Sequence, residues 1–529
     1  MMTGTHTGGG RLSSRVGEVD APVGPTLDLL GLSPVVFLAV MKIPLGFTGD
    51  QALFATAAVE LHQGRTLYRD FWDIKQPGIY WFFGLARFLG RGPVPVHILE
   101  LLVILIGAVL LQRTTRSWFA DRRVSSFVPA LVYGPYLAVS GPLGTTQVEA
   151  LMCTPLAVCL VAAFNPRKPR FFVAGMAGGV VLVLKLVLAP LLAVIAIGAL
   201  SCRPADERTL AVAGRRALVF TLGAAIPPVL ALVWLLADHV GLGLVWRTTA
   251  VYPSQLTGLH GTDLLKPLLS RFVGSYSLTG PLALVAVISW RSVRRDLALT
   301  VLVMAGVALL IVVPQRWSTY QVDIEMLPIG LLAAFGLDAI AAHRAASGPK
   351  RPTLLAAAAF LALLAVAIPA ERFAVSVKRL VTNRLALTAG GREQLRRAAD
   401  PTYAQISAEV DAARSVIGPV STVYVLGNPL YYDRLGATQA IPINGWATEQ
   451  ITPRIWTELI RELEVTRPRL ILVEGAGSQP TVPSHAPGLL TFIAANYHPI
   501  RTSPASDPSG VTWYQSDDPR PGPPTTNRL

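Results

Sequence analysis

Between residues 27 and 370 the chain alternates apolar stretches of roughly 15–20 residues with short polar joints, a pattern that no single water-soluble core can absorb. The stretches lie near 27–47, 94–112, 124–140, 147–164, 171–184, 186–200, 217–238, 274–290, 297–314, 322–341 and 353–370, about eleven in all. Hydrophobic residues make up 52% of the chain and charged ones 15%, with a mean hydropathy of +0.49, which predicts a multi-pass α-helical protein of the cell membrane. Cys153 and Cys159 lie inside an apolar stretch and Cys202 in a basic joint, so no disulfide framework is expected.

The net charge of +14 is not spread as in a nucleic-acid-binding surface. It collects in the joints at 113–123, 165–170, 201–216, 291–296 and 342–352, through residues such as Arg116, Arg122, Lys168, Arg215, Arg294 and Arg351. By the positive-inside rule these joints are cytoplasmic. An odd number of spans then puts the N-terminus inside and everything after residue 370 outside, and the joints with Asp50, Asp70, Asp73, Glu149, Asp323 and Glu325 share that outer face. Lys185 and Pro190 interrupt the run from Phe171 to Leu200 and predict two short helices meeting near the outer surface. The aromatic segment Gly78–Gly90, with Arg87 and Arg91, predicts an interfacial helix.

Four regions follow: a Gly- and Ser-rich cytoplasmic tail (1–26), a membrane domain (27–370), an extracytoplasmic domain (371–516) and a Pro-rich tail (517–529). In the third, the alternation Thr422–Leu426, a helical Arg454–Val465, the compact Leu470–Val473 and Val511–Tyr514 predict a small α/β fold. The loop Gly427–Tyr432 would lie at its sheet edge.

The residues that carry chemistry cluster outside the membrane. Asp50 follows the first apolar stretch in Phe47-Thr48-Gly49-Asp50-Gln51-Ala52, and Tyr68-Arg69-Asp70-Phe71-Trp72-Asp73-Ile74-Lys75-Gln76-Pro77-Gly78 follows shortly after. Carboxylates and cations at a lipid–water boundary can transfer protons and bind anions. His62, His97, His239 and His260 have no metal-ligand spacing. No Gly-rich phosphate loop or cytoplasmic nucleotide-binding domain is evident, which disfavours a nucleotide ligand on the cytoplasmic face.

These segments, with Gln147-Val148-Glu149-Ala150 opening a later stretch and Gly178-Gly179 ahead of Lys185, resemble the polyprenyl-phosphate-sugar-dependent glycosyltransferases of the GT-C superfamily. Within it the likeness is to the protein mannosyltransferase-like proteins of glycosyltransferase family 39 and the lipid A aminoarabinose transferases. The resemblance implies a GT-C fold that takes a sugar from a polyprenyl-phosphate donor to an envelope glycan, lipid or protein on the outer face, with inversion. It implies Asp50 as the general base on the acceptor hydroxyl. Lys75, Arg69, Lys185 and Arg316 would hold the donor phosphate, and Glu149, Asp73 and Asp70 would orient the acceptor or a divalent metal ion. Pro314-Gln315-Arg316-Trp317-Ser318-Thr319-Tyr320-Gln321 resembles the family's late outer loop, through Gln315, Trp317 and Tyr320, without its His. A transporter or flippase of a lipid-linked substrate is the alternative, and would call for paired internal repeats, of which none is evident. A non-catalytic envelope scaffold is a third reading.

Overall fold

The computed structural model describes residues 24–165, 168–202, 209–253, 265–289, 295–315, 319–347, 378, 381–382, 386–446, 453–474, 487–500 and 511–518. The last expected apolar stretch, 353–370, and both expected tails except Gly24–Thr26 and Asp517–Asp518 lie outside these residues.

Every expected apolar stretch before residue 347 is helical: α1 (Pro25–Val40), α4 (Pro93–Thr114), α5 (Val124–Val139), α6 (Val148–Leu151) with α7 (Cys153–Ala163), α8 (Phe171–Leu184), α9 (Ala189–Ser201), α10 (Leu210–Ala237), α12 (Leu265–Tyr276) with α13 (Thr279–Ile288), α14 (Arg295–Gln315) and α15 (Met326–Ser347), with a short α11 (Leu242–Trp246) after α10. Among the described residues four helices are long and apolar enough to cross a membrane, or up to five if α12 and α13, bent by 79°, count as one. On α10, Leu222, Leu230 and Val233 are more than half exposed, an outward apolar face suited to lipid. α8 ends at Leu184, Lys185 is extended, and α9 starts after a short 3-10 turn, so the expected break is present.

Small residues let the helices approach. Gly175, Gly179 and Gly223 sit where α8 crosses α10, and a Cβ on Gly175 would stand 2.1 Å from the Phe220 carbonyl oxygen. Gly175→Ala should therefore destabilise the protein by roughly 1–3 kcal/mol through overpacking. Gly214→Ala on α10, where a Cβ meets nothing within 4 Å, should be neutral or slightly stabilising. Thermal melting of the detergent-solubilised variants checks the contrast.

Two expectations need correction. The first apolar helix ends at Val40, not near residue 47, and Asp50 lies in the first turn of a further helix, α2 (Gly49–His62), instead of an open loop. α2 has almost no amphipathic periodicity because most of its side chains are buried all round, so no sequence pattern marked it. α3 (Pro77–Leu89) is the expected short helix, with Leu85, Phe88 and Leu89 facing outward.

After residue 386 come α16 (Ala389–Ala399), α17 (Pro401–Ile417), β1 (Thr422–Leu426), α18 (Leu430–Leu435), β2 (Thr438–Gln439), α19 (Pro453–Thr466), β3 (Leu470–Val473), α20 (Pro487–Asn496), β4 (Tyr497–Ile500) and β5 (Thr512–Ser516). The five strands form one sheet in the order β2-β1-β3-β5-β4, parallel from β2 to β3 and antiparallel beyond. The Gly427–Tyr432 segment does not offer its tyrosines at the sheet edge. Tyr431 and Tyr432 are buried, and the Tyr432 hydroxyl accepts from the Val425 N–H at 3.0 Å.

Glu60, fully buried on α2, fastens this sheet unit to the helices: it accepts from the Gln439 N–H at 2.6 Å and pairs with Arg65 at 3.1 Å, while Arg65 donates to the Gln439 carbonyl at 2.7 Å. Parallel to this, Trp72 bridges to Ile443 in strand fashion and donates its N–H to the Pro442 carbonyl at 2.8 Å. The segment leading to Lys75 and the 442–446 segment are thus held side by side.

Candidate active site

Asp50 reaches its position through Gly49, whose φ of +45° suits glycine, and through Gln51, whose Oε1 accepts from the Thr48 N–H at 3.1 Å. The Gln51 amide donates in turn to the Pro142 carbonyl at 2.8 Å and to Thr145, tying the start of α2 to the segment before α6. The Asp50 carboxylate is 8% exposed and engaged on both oxygens. Oδ2 accepts from the Tyr320 hydroxyl at 2.5 Å and faces Lys75 Nζ at 3.3 Å, and Oδ1 accepts from the Trp446 indole N–H at 2.7 Å. Burial works against its ionisation, but the Lys75 ammonium and the Tyr320 and Trp446 donors outweigh it and hold the carboxyl below its ordinary range. Lys75 behaves reciprocally: burial is outweighed by Asp50, Asp73 and Glu149, and its pKa is raised. Its ammonium also stands 5.0 Å from the Phe54 ring centroid.

Beside this pair lies a second. Glu149, on the short α6, is 3% exposed and binds Lys185 Nζ at 2.5 Å, at the break between α8 and α9. The Thr146 backbone that leads into α6 has φ +52° and is pinned by Glu100, which accepts from its N–H at 3.0 Å and its hydroxyl at 2.6 Å. Arg271 and Asp323 form a third pair at 3.3 Å, and Arg271 also donates to the Val139 carbonyl at 3.1 Å.

The structure therefore gathers Asp50, Lys75 and Tyr320, and sets Glu149 with Lys185 close enough to Lys75 to act on its charge. Asp73 plays a different part. Its oxygens accept from the Tyr80 hydroxyl at 2.5 Å and the Ile74 N–H at 2.7 Å, which shapes the turn carrying Lys75. Arg69 and Asp70 pair with each other at 2.9 Å, and Arg69 also holds Thr66 Oγ1 and the Asp238 carbonyl, so neither is turned toward Asp50. Arg316 and Trp317 lie outside the described residues. Gln315 closes α14, with its side chain also outside the described set. Among the described residues no three His, Cys, Asp or Glu side chains form a metal-holding group.

Trp446, Arg271 and Glu100 were not expected from sequence. Trp446 is 396 residues from Asp50 in the chain and arrives through Gly445, where a Cβ would stand 2.2 Å from the Val425 carbonyl oxygen. Asn444 supports the turn by donating to the Trp72 carbonyl at 2.7 Å and accepting from the Trp446 N–H at 3.0 Å.

No protein-family model matches the sequence, and no curated protein matches it. Solved structures do. ArnT from Cupriavidus metallidurans in the apo state is 14% identical with a TM-score of 0.55, over 93% of this chain and 97% of that one. The same protein bound to undecaprenyl phosphate is 13% identical with a TM-score of 0.53 over the same shares. The chain has the GT-C fold. The arabinofuranosyltransferase AftD from Mycobacteria is 15% identical over 93% of this chain and 40% of that one, with a TM-score of 0.44. In this chain the Asp50–Lys75 pair sits where the helical unit meets the sheet unit, through the Trp446 indole.

Replacing Trp446 with Phe keeps the ring and removes the donor to Asp50. A hydrogen bond to a charged group contributes about 1.5–3 kcal/mol. The variant should lose roughly tenfold or more of any activity that uses Asp50 as a base, and the acidic limb of its pH–rate profile should move to higher pH.

Proposed function

We propose that the protein is an inverting membrane glycosyltransferase, which takes a sugar from a polyprenyl-phosphate carrier to a hydroxyl of an envelope glycan, lipid or protein at the extracytoplasmic face. The observation that carries this reading is the buried Asp50 carboxylate, kept ionised beside the Lys75 ammonium, in a fold shared with a protein crystallised with undecaprenyl phosphate.

In the reading, the donor phosphate enters between Lys75 and Lys185, two cations held by carboxylates until a phosphate competes for them. Asp50 accepts the proton of the acceptor hydroxyl as its oxygen forms a bond to the anomeric carbon. The bond from that carbon to the phosphate oxygen breaks, and its electron pair leaves with the polyprenyl phosphate. The departing dianion needs cations more than it needs a proton, which suits two lysines. Attack opposite the leaving group inverts the anomeric centre. Tyr320 and Trp446 keep the carboxylate aimed, and Glu149 orients Lys185 or the acceptor. In this topology the ends of the apolar helices nearest Asp50, Glu149 and Lys185 face outward, and about eleven spans bring the sheet unit to the same side.

The test is transfer of radiolabelled sugar from a panel of synthetic polyprenyl-phosphate sugars to total envelope acceptors. Labelled product from at least one such donor, and none from nucleotide sugars, is expected. No transfer from any donor by folded protein would overturn the reading.

A further inference from the structure

We infer that the C-terminal end of α3 is a binding site for an anionic phospholipid of the outer leaflet, with Arg87 and Arg91 as its cations. Two adjoining cavities, of about 370 and 310 Å³, both border Arg87, Gly90 and Arg91. The larger runs between α2, α3 and α18, and the smaller opens beside His62 and Phe88. Among the described residues neither guanidinium has a hydrogen bond or an ion pair, although most other basic groups near α2 and α3 are paired. The one carboxylate on the cavity wall, Asp433, has its charge offset in part by Arg434 and Arg396 of its own unit, and stands against two guanidinium groups on the same wall. Arginine guanidinium matches phosphate in charge and in its forked geometry.

The surroundings favour a lipid over a small anion. Leu85, Phe88 and Leu89, within two residues of Arg87, are 55%, 79% and 60% exposed, an apolar apron around the two cations. The depth is set by α10: Trp81 packs edge-on against Trp234, with ring centroids 5.3 Å apart, three residues before that long apolar helix ends at Ala237. The first half of α3 thus lies level with the end of an apolar helix long enough to span, where acyl chains give way to headgroups. The two cations are set apart from Asp50: His62, which lines the smaller cavity beside them, lies at the other end of α2 from Asp50, about 18 Å along the helix.

The test uses the full-length protein in mild detergent, offered equal amounts of phosphatidylglycerol and phosphatidylcholine, with bound lipid read by native mass spectrometry. Wild type should retain the anionic lipid in preference by on the order of tenfold, and Arg87→Gln with Arg91→Gln should lower retention to the level of the zwitterionic lipid. Equal retention of both lipids by wild type, undiminished preference in the double variant, or displacement of the lipid by inorganic phosphate alone would each overturn the proposal. If the double variant does not fold, the preference of wild type and the phosphate competition still decide. Sugar transfer is not the readout, so the outcome is independent of the proposed reaction.

Discussion

Asp50→Asn should lower sugar transfer by about 10²- to 10⁴-fold, the contribution of a positioned general base, while leaving donor binding intact or tighter. The amide keeps the size of the carboxyl, its oxygen can still accept from the Trp446 indole N–H, and its NH2 can donate to the Tyr320 hydroxyl oxygen, so the surrounding packing is retained. What it loses is the negative charge that takes the acceptor proton and that partly neutralises Lys75 at 3.3 Å. With its carboxylate partner gone, Lys75 is left with more uncompensated charge for an incoming phosphate. Transfer assays paired with binding of polyprenyl phosphate to the purified variant separate the two effects. Weakened binding with an unchanged rate on bound donor would mean that Asp50 serves the donor and not the acceptor.

Lys75→Met should produce the opposite split. Donor binding should fall by on the order of tenfold to a hundredfold, as expected when a charge-assisted contact to phosphate is removed. The remaining activity should show a changed pH dependence. In wild type the Asp50 carboxyl is held below its ordinary range, chiefly because Lys75 offsets the penalty of burial. Take Lys75 away and burial remains, so the carboxyl pKa rises. A base must be deprotonated to act, and the acidic limb of kcat/KM therefore moves to higher pH. The variant should also be less stable, because one half of a buried pair is left behind. The Lys75 side chain is 28% exposed and solvent screens part of the charge, so the expected loss is roughly 2 kcal/mol, below that of a fully enclosed pair. A pH–rate profile and a thermal melt check these expectations; an unmoved acidic limb would mean that Asp50 is not the titrating base.

Much of the helical unit was legible because the membrane imposes a length and an apolar composition that show in sequence, and because Lys185 inside an apolar run demands a break. α2 was not legible, since a helix buried on nearly every face has no polar stripe to reveal its period. Glu149, Lys185 and Tyr320 were named through the resemblance to the GT-C glycosyltransferases, whereas Asp50 and Lys75 stood out as charges beside apolar helices. The same rule also named Arg69 and Asp70, which the fold spends on each other and on the Asp238 carbonyl. Trp446 had no local signal: an Asn-Gly-Trp turn in a small sheet unit acquires its role only when Gln439, Ile443 and Asn444 dock that unit against Glu60 and Trp72.

The most direct measurement of the central claim is a single-turnover reaction of the purified protein with a polyprenyl-phosphate sugar and acceptor, following release of polyprenyl phosphate and the anomeric configuration of the product together. The account predicts release of the carrier in step with product, inverted configuration at the anomeric carbon, and product and release slowed together by about 10²- to 10⁴-fold with Asp50→Asn. Retained configuration, or equal turnover by the variant, would contradict a single displacement with Asp50 as its base.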